Sequence, residues 1–284
     1  MTAPARDALQ FPDSDRHQLE EYIPLPSSAE CMRPEDIAKT FVTLTFATSL
    51  DSQLAIAPGV QTALSGPRSK AMTHFLRSRY DAILIGAGTA IADNPSLNCR
   101  LEGVGGYGGE GLVGQPRPVV VDPHGRWQFN EESKVLRLAK EGKGKAPYIV
   151  TSTNPPADRR ATLENVGGKF LFLGLSARDV SQAGSSWHII LDALKQEGIG
   201  SVMIEGGGFV INDFLGPSPA YSLVNSVIVT IAPTWLGKGG VQVCPDGGRE
   251  RLPMTRLRYV KWIPLGEDVV LCGEPNRLIR QTKE

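Results

Sequence analysis

The fold of this chain is decided by two stretches of its sequence, DAILIGAGTAIADNPSLNCR at residues 81–100 and SVMIEGGGFVINDF at residues 201–214. Each opens with an apolar run typical of a buried strand and then breaks at glycines. Residues able to start a helix follow each break, and bare backbone N–H groups at a helix start attract anions. The two breaks therefore predict one ligand held from two places, and nucleotide phosphates suit such sites.

Strands and helices alternate through the middle of the chain, and strands dominate towards its end. The final run, RLRYVKWIPLGEDVVLC, is typical of an antiparallel hairpin around Gly266. This order predicts an α/β fold, with a central mixed, mostly parallel sheet flanked by helices and an antiparallel C-terminal hairpin. The other strands are predicted at residues 41–48, 82–85, 118–121, 148–151, 170–173, 202–204 and 226–231.

Apolar residues at helical spacing predict three of the helices. The first begins at residues 65–67, Ser-Gly-Pro, because proline is tolerated in a first turn. The third follows the strand at 202–204 directly and is expected to pack behind it. The apolar residues expected to mark these helices are Ala71, Met72, Phe75 and Leu76 for the first, Ile189, Ile190, Ala193 and Leu194 for the second, and Phe209, Val210, Phe214 and Leu215 for the third.

The chain is expected to form a single domain, residues 41–284, preceded by an N-terminal extension, residues 1–40. The extension carries five prolines and many charges, with one short amphipathic stretch, LEEYI, so it either packs weakly or wraps the domain. Residues 103–114, GVGGYGGEGLVG, hold seven glycines. This composition predicts a flexible insertion without regular structure.

Composition and charge exclude several classes of protein. The 30 basic and 30 acidic residues give a net charge of +0, whereas a nucleic-acid binder usually has a basic excess. No apolar run is long enough to suggest a membrane span, and the N-terminus lacks the apolar core of a secretory signal. The four cysteines and four histidines are scattered, which predicts reduced thiols, no metal site and a cytoplasmic location.

Neither glycine break is a Rossmann fingerprint, because isoleucine stands where the third glycine of G-x-G-x-x-G belongs. The triple glycine at 206–208 has two interpretations that the sequence leaves open. One is a phosphate cradle at a helix start, and the other is a tight turn with close helix–sheet packing. After the first break, Thr89 and Asp93 are either ligand contacts or helix caps.

Three charged side chains stand near these breaks. Arg77 lies near the end of the first predicted helix, and Arg100 ends the turn NPSLNCR. Two guanidiniums at one edge of a sheet could bind a phosphomonoester together. Either arginine taken alone is equally well explained as a solvated surface residue. Glu205 is expected to point up from the carboxyl edge of its strand, where ligands bind in open α/β sheets. The sequence has no G-x-S-x-G, GxxxxGK[ST] or HExxH motif, which favours an enzyme whose cofactor supplies the chemistry.

Five segments in this order resemble the riboflavin-pathway reductase family, and MTHFLR and ADNPSLNCR are most similar to its monofunctional fungal branch. In bacteria this reductase is commonly fused to a zinc deaminase, but the H-x-E and P-C-x-x-C motifs of that partner are missing, so only the reductase is expected. One departure is Ser52, where the family often has glycine. The five segments are FVTLTFATSLD at 41–51, MTHFLRSRYDAILIGAGTAIADNPSLNCR at 72–100, RPVVVD at 117–122, VMIEGGGFVINDFL at 202–215 and VIVTIAPTWLGKGG at 227–240.

The resemblance implies a dihydrofolate-reductase-like fold, a homodimer and hydride transfer from NADPH, with NADH as the other possible donor. The substrate that it implies is a small molecule, a ribosylaminopyrimidine 5′-phosphate. The sugar of this substrate opens to an imine, which accepts the hydride at C1′.

The resemblance also carries roles to matching positions. The residues expected to contact the cofactor are Ala47, Thr89, Asp93, Gly206, Gly207, Gly208, Phe209, Val210 and Asp213. Those expected to contact the substrate are Arg77, Leu97, Arg100 and Glu205, with the two arginines on the 5′-phosphate. The proton donor is left open among Asp51, Asp93, Glu205 and water, because a general acid is identified by geometry first.

Two other functions remain as alternatives. A dihydrofolate-type reductase on the same fold would have no basic pair for a phosphate, and the presence of Arg77 with Arg100 argues against it. A nucleotide-binding regulator that has lost activity would bind the cofactor without oxidising it.

Overall fold

The computed structural model of the chain describes residues 7–25, 39–174, 186–216, 219–245 and 255–276. The strands in these ranges are β1 (Phe41–Thr48), β2 (Gln53–Ala55), β3 (Ala82–Gly86), β4 (Arg117–Val121), β5 (Tyr148–Thr151), β6 (Lys169–Phe172), β7 (Ser201–Gly206), β8 (Ser226–Ile231), β9 (Val241–Gln242), β10 (Arg256–Leu265) and β11 (Asp268–Asn276). Nine of them form one sheet in the order β10-β11-β8-β1-β7-β3-β4-β5-β6, while β2 pairs with β9.

The large sheet is parallel from β8 to β6, and β10 and β11 extend it as an antiparallel hairpin. Gly266 lies in the hairpin turn with a φ of +72°, a value that glycine adopts without strain. Leu44 of β1 pairs with Ile204 and Val227, and all three side chains are buried, as expected of strands covered on both faces. The predicted α/β fold and its C-terminal hairpin are therefore confirmed.

Helices cover both faces of this sheet. The first predicted helix begins at Pro67 and buries its four predicted apolar residues. The helices are α1 (Asp13–Arg16), α2 (Pro67–Arg79), α3 (Ala87–Asp93), α4 (Lys134–Lys140), α5 (Ala157–Glu164), α6 (Trp187–Gln196) and α7 (Gly208–Leu215), with short 3-10 turns at Glu20–Tyr22 and Pro219–Leu223.

The buried faces of α6 and α7 differ from the predicted ones. Helix α6 is anchored by Trp187, whose ring centroid lies 4.6 Å from that of Phe214. Ile189, predicted to lie on the buried face, is 39% exposed. In α7, Phe209 is 71% exposed and lies on a cleft wall. Spacing alone predicts an apolar face, but the neighbouring elements decide which part of it is covered.

The N-terminal extension wraps the domain over residues 7–25, and the rest of residues 1–38 lies outside the described ranges. Phe11 and Leu19 are buried, and the Phe11 ring stacks on Phe75 of α2 at 5.4 Å. Backbone hydrogen bonds join Leu9 to Arg100 and Glu102. Of the two predicted behaviours, weak packing is therefore wrong for this segment.

The glycine-rich segment, residues 103–114, is a series of turns, so the predicted lack of regular structure is confirmed. Its predicted looseness is not borne out by its packing. Val104 and Tyr107 are buried, and Gly105 donates a hydrogen bond to the Val113 carbonyl at 2.8 Å. Positive φ angles at several of its glycines let the backbone fold onto itself.

None of the described helices has the length and apolar character needed to cross a membrane.

Candidate active site

A cleft of about 1120 Å³ opens at the carboxyl edge of the sheet. Four neighbouring strands, β1, β7, β3 and β4, each contribute a residue near their carboxyl ends to its wall: Ala47, Glu205, Gly86 and Val121. Parallel strands all end at this edge, which is where open α/β sheets bind their ligands.

Two helices begin at this cleft, one after each glycine break. Gly86 caps the start of α3 and Gly207 caps the start of α7, in both cases without a side-chain hydrogen bond. The first N–H groups of a helix have no partner within the helix, so they favour negatively charged groups. The two breaks therefore meet at one cleft, as the sequence predicts.

The triple glycine is required by close packing as well as by the cleft. Gly206 has a φ of +127°, and a Cβ atom on Gly207 would lie 2.6 Å from Thr89 Oγ1. A Cβ atom on Gly208 would lie 2.5 Å from Val241 Cγ1. The tight-turn interpretation is thus supported by the packing, while Gly207 and Gly208 also line the cleft beside the start of α7.

Arg77 and Glu205 form a bidentate ion pair beneath the cleft. Nε and Nη2 of Arg77 donate to the two Glu205 oxygens at 2.7 and 2.6 Å, and Nη1 donates to the Asn98 carbonyl at 2.9 Å. The two side chains are 14% and 15% exposed. Burial acts to lower the pKa of Arg77, but the Glu205 carboxylate raises it above the usual value. The pair holds the Glu205 carboxylate in one orientation at the cleft wall.

The loop after α3 carries the other predicted substrate residues. Leu97 is buried in the core with a φ of +47°. The backbone N–H of Arg100 donates to Nδ1 of the buried His74 at 3.0 Å, and burial lowers the pKa of His74 to about 2. Of the predicted substrate residues, Glu205 lines the cleft, whereas Arg77, Leu97 and Arg100 are not among the residues of its wall.

The three candidate proton donors have different surroundings. Asp51 lies outside the cleft wall and accepts hydrogen bonds from Ser49 and from the backbone of Leu236 and Gly237. The Ser49 bond, with the backbone bonds, lowers the pKa of Asp51, which favours its charged form, so its role as a proton donor stays a prediction. Asp93 lines the cleft, and burial raises its pKa.

The predicted cofactor residues converge. All of them except Gly206 line the cleft, namely Ala47, Thr89, Asp93, Gly207, Gly208, Phe209, Val210 and Asp213. Asp213 is buried and accepts a hydrogen bond from the Trp187 indole. Among the described residues, no three Asp, Glu, His or Cys side chains lie close enough together to hold a metal ion.

Two parts of the cleft wall were not predicted. Residues 57–65 form one side, where Thr62 Oγ1 accepts a hydrogen bond from the Ile56 backbone at 3.1 Å. Small, uncharged residues dominate this loop and carry no motif. The second part is the loop after β4, with His124 and Arg126. This loop follows the carboxyl end of a predicted parallel strand, which could have identified it as part of the cleft.

The loop after β4 is held by a single buried carboxylate. Asp122 is 2% exposed and accepts hydrogen bonds from the backbone N–H groups of Arg126 and Trp127 at 3.0 and 2.8 Å. This turn presents the Arg126 side chain at the edge of the cleft.

Comparisons with known proteins agree with this architecture. The chain is 41% identical over 268 residues to a Debaryomyces hansenii protein named 2,5-diamino-6-ribosylamino-4(3H)-pyrimidinone 5′-phosphate reductase, covering 93% of this chain and 98% of that one. A Saccharomyces cerevisiae protein of the same name is 36% identical, with 90% and 93% covered.

Solved structures of riboflavin biosynthesis proteins are also similar to this chain. A Saccharomyces cerevisiae riboflavin biosynthesis reductase superposes with a TM-score of 0.70 at 32% identity, covering 92% of this chain and 98% of that one. Acinetobacter baumannii RibD shares the fold, with a TM-score of 0.66 at 24% identity, and this chain covers 59% of its length.

The predicted dihydrofolate-reductase-like fold is confirmed by these neighbours. The sequence model of the RibD C-terminal domain family matches residues 40–271. The resemblance predicted from the sequence is thus confirmed over most of the chain, which belongs to the RibD C-terminal domain family.

Proposed function

We propose that this protein reduces the ribosyl side chain of 2,5-diamino-6-ribosylamino-4(3H)-pyrimidinone 5′-phosphate to the ribitylamino form, in riboflavin biosynthesis, with NADPH as hydride donor. The observation that carries the proposal is the 41% identity to a reductase of that name over nearly the whole of both chains. The cleft supports it, because residues from both glycine breaks line one continuous wall.

The cleft wall fits a nicotinamide nucleotide. The start of α7 offers backbone N–H groups, and a Cβ atom on Gly88 at the start of α3 would meet no other atom within 4 Å. Phosphates approach such glycine-lined helix starts closely. When bound, the nicotinamide supplies the hydride. Thr89, Asp93 and the residues from Gly207 to Val210 are the side of the cleft that would hold it.

The reaction needs positioning and one proton. Opening of the ribose ring gives an imine, hydride adds to C1′, and a proton goes to the nitrogen, so NADPH and H⁺ are consumed and NADP⁺ is released. An imine carbon is already electrophilic, so the protein's task is to align it and exclude water. Asp93 is our candidate proton donor, because it lines the cleft and burial favours its protonated form.

Glu205 and Arg77 act together in this proposal. The Glu205 carboxylate is held by the guanidinium, so it acts as an acceptor for substrate N–H or O–H groups and not as an acid. Each guanidinium nitrogen of Arg77 donates one hydrogen bond, two of them to Glu205 and one to the Asn98 carbonyl, so we assign Arg77 an orienting role. Arg100 is then the candidate holder of the 5′-phosphate.

The test is absorbance at the nicotinamide band with purified protein, NADPH and the ribosylaminopyrimidine phosphate. We expect NADPH oxidation that depends on the substrate. Oxidation with dihydrofolate in its place would favour the dihydrofolate-type alternative. NADPH binding without oxidation under either substrate would contradict the proposal and favour the regulator.

The preference for NADPH over NADH is assigned to Arg126. Among the described residues that line the cleft, the basic side chains are Lys70, His124 and Arg126. Arg126 sits on the turn held by Asp122, and a guanidinium binds a 2′-phosphate in bidentate geometry. Arg126→Gln should therefore raise the NADPH KM at least about tenfold and leave the NADH KM unchanged. Lys70→Gln is the matched control, and a loss of selectivity there instead would contradict the assignment.

Homodimer formation and a cytoplasmic location remain predictions. Analytical ultracentrifugation of the purified chain tests the first, and a fluorescent fusion in cells tests the second.

A further inference from the structure

The glycine-rich segment packs against the loop that carries Arg100. Two buried side chains make the contact: Tyr107, within the segment, and Gln115, which directly follows it. Neither lines the cleft.

Tyr107 is linked to the cleft through a chain of hydrogen bonds. Asn98 Nδ2 donates to the Tyr107 hydroxyl at 2.9 Å, and the Asn98 carbonyl accepts from Arg77 Nη1 at 2.9 Å. Arg77 in turn holds both oxygens of Glu205. Asn98 is 1% exposed, so solvent offers little to replace a lost partner.

Gln115 makes a second connection, to the backbone between Asn98 and Arg100. Its Oε1 accepts from the Cys99 N–H at 2.9 Å, and its Nε2 donates to the Cys99 carbonyl at 2.6 Å. The same Nε2 donates to the Gly105 carbonyl at 2.8 Å. One side chain therefore ties the loop to the glycine-rich segment.

The glycines allow this segment to come close enough. Gly106 has a φ of +79°, and a Cβ atom there would lie 2.8 Å from the Gly142 carbonyl oxygen. The neighbouring Lys143 carbonyl accepts a second hydrogen bond from Asn98 Nδ2 at 2.9 Å. The segment, residues 142–143 and the Asn98 amide thus form one packed block.

We propose that the glycine-rich segment is a scaffold for the substrate side of the cleft, with Tyr107 and Gln115 as positioning residues. Tyr107 acts through the Asn98 side chain and Gln115 through the adjoining Cys99 backbone, and together they fix the orientation of the Arg77–Glu205 pair. The expected change in kcat/KM rests on the proposed function, whereas the expected change in how firmly Arg77 holds Glu205 does not.

The test compares Tyr107→Phe with Tyr22→Phe. Tyr22 is also buried and its hydroxyl donates one hydrogen bond, to the Tyr259 carbonyl, far along the chain from the site. Loss of one hydrogen bond of this kind in Tyr107→Phe should lower kcat/KM for the ribosylaminopyrimidine phosphate about fivefold. The NADPH dissociation constant should not change, and Tyr22→Phe should keep the wild-type kcat/KM.

A second measurement does not depend on turnover. Hydrogen exchange at Arg77 Nε–H, followed by ¹⁵N NMR, reports how tightly Glu205 is held. Exchange should be several-fold faster in Tyr107→Phe than in wild type or Tyr22→Phe. Unchanged exchange together with unchanged kcat/KM would overturn the positioning role. A wild-type protein that fails to reduce the substrate would overturn only the proposed function.

A double-mutant cycle tests whether Tyr107 acts on the Arg77–Glu205 pair through the Asn98 side chain. Asn98→Ala removes the side chain that bonds to Tyr107 but keeps the backbone carbonyl. If Tyr107 acts through Asn98, then adding Tyr107→Phe to Asn98→Ala should cause no further loss of kcat/KM. An undiminished fivefold loss in that background would contradict the route.

Discussion

Arg100 has a guanidinium with no hydrogen-bond or ion-pair partner in the described part of the chain. Arg77, by contrast, already donates three hydrogen bonds, two to the Glu205 carboxylate and one to the Asn98 carbonyl. The unengaged Arg100 guanidinium is therefore our better candidate for the substrate phosphate, because no existing ion pair must be broken before a phosphate binds to it.

Arg100→Ala should therefore raise the KM for the ribosylaminopyrimidine phosphate by about tenfold or more, since a charge-assisted bidentate pair is lost. Steady-state kinetics at saturating NADPH measure this effect, and Arg100→Lys should recover part of it as a point charge. If Arg100→Ala instead weakens NADPH binding, Arg100 belongs to the cofactor side.

His74 makes stability sensitive to acid. In the folded protein its pKa is lowered to about 2 by burial, with Arg77 and Arg100 adding to the effect, against an ordinary value of 6.5. Above pH 6.5 the ring is neutral in both states. Below it the unfolded chain binds a proton that the folded protein does not, so stability falls by up to about 1.4 kcal/mol per pH unit.

His74→Asn keeps an acceptor for the Arg100 N–H and removes the titrating ring. Its free energy of unfolding should fall less steeply than that of wild type between about pH 6.5 and pH 4. Urea titrations at several pH values measure the two slopes. Parallel slopes would contradict the predicted contribution of His74.

Among the elements, the start of α3 offers the cleanest probe of the predicted cofactor site. Gly207 is unsuitable, because any side chain there meets Thr89 before it reaches the cleft. Gly88 belongs to α3 and lines the cleft, and a Cβ atom there would meet no atom outside its own part of the helix within 4 Å.

Gly88→Leu should fold with unchanged or higher Tm, because leucine favours helix over glycine by up to about 1 kcal/mol. Its side chain enters the cleft, so the NADPH dissociation constant should rise about tenfold or more, whereas Gly88→Ala should have a smaller effect. Fluorescence titration measures both. Retained NADPH affinity in folded Gly88→Leu would place the cofactor away from α3.

The elements themselves were largely predictable, because strand and helix periods are local properties of the chain. The strand–glycine–helix units at β3–α3 and β7–α7 lie where their sequences predict. The exposure of Ile189 and Phe209 was not predictable, since it depends on which neighbours cover each helix.

At the scale of the whole molecule, the N-terminal segment contributes to the main fold. Leu19 is 1% exposed against the core that contains α2, whereas Leu25, in the same segment, is 62% exposed. Leu19→Ala and Leu25→Ala are therefore a matched pair, because the same atoms are removed at a buried and at an exposed position.

Leu19→Ala should lower the free energy of unfolding by about 2–5 kcal/mol, because it removes a buried side chain and leaves a cavity. Leu25→Ala should change it by no more than about 0.5 kcal/mol. Chemical denaturation measures both values. Equal, small effects would mean that the segment does not pack on the domain in solution.

Apolar periodicity, glycine positions and the order of motifs are local properties of the chain, so they were enough to predict the α/β class, the parallel core, the hairpin and the family. Most of the residues predicted to contact the cofactor line one cleft. The three-dimensional structure was needed to show that Arg77 is paired with Glu205, that Asp51 accepts hydrogen bonds from a distant loop and that the glycine-rich segment is packed. These facts depend on contacts between residues far apart in sequence, and no local pattern encodes such distances.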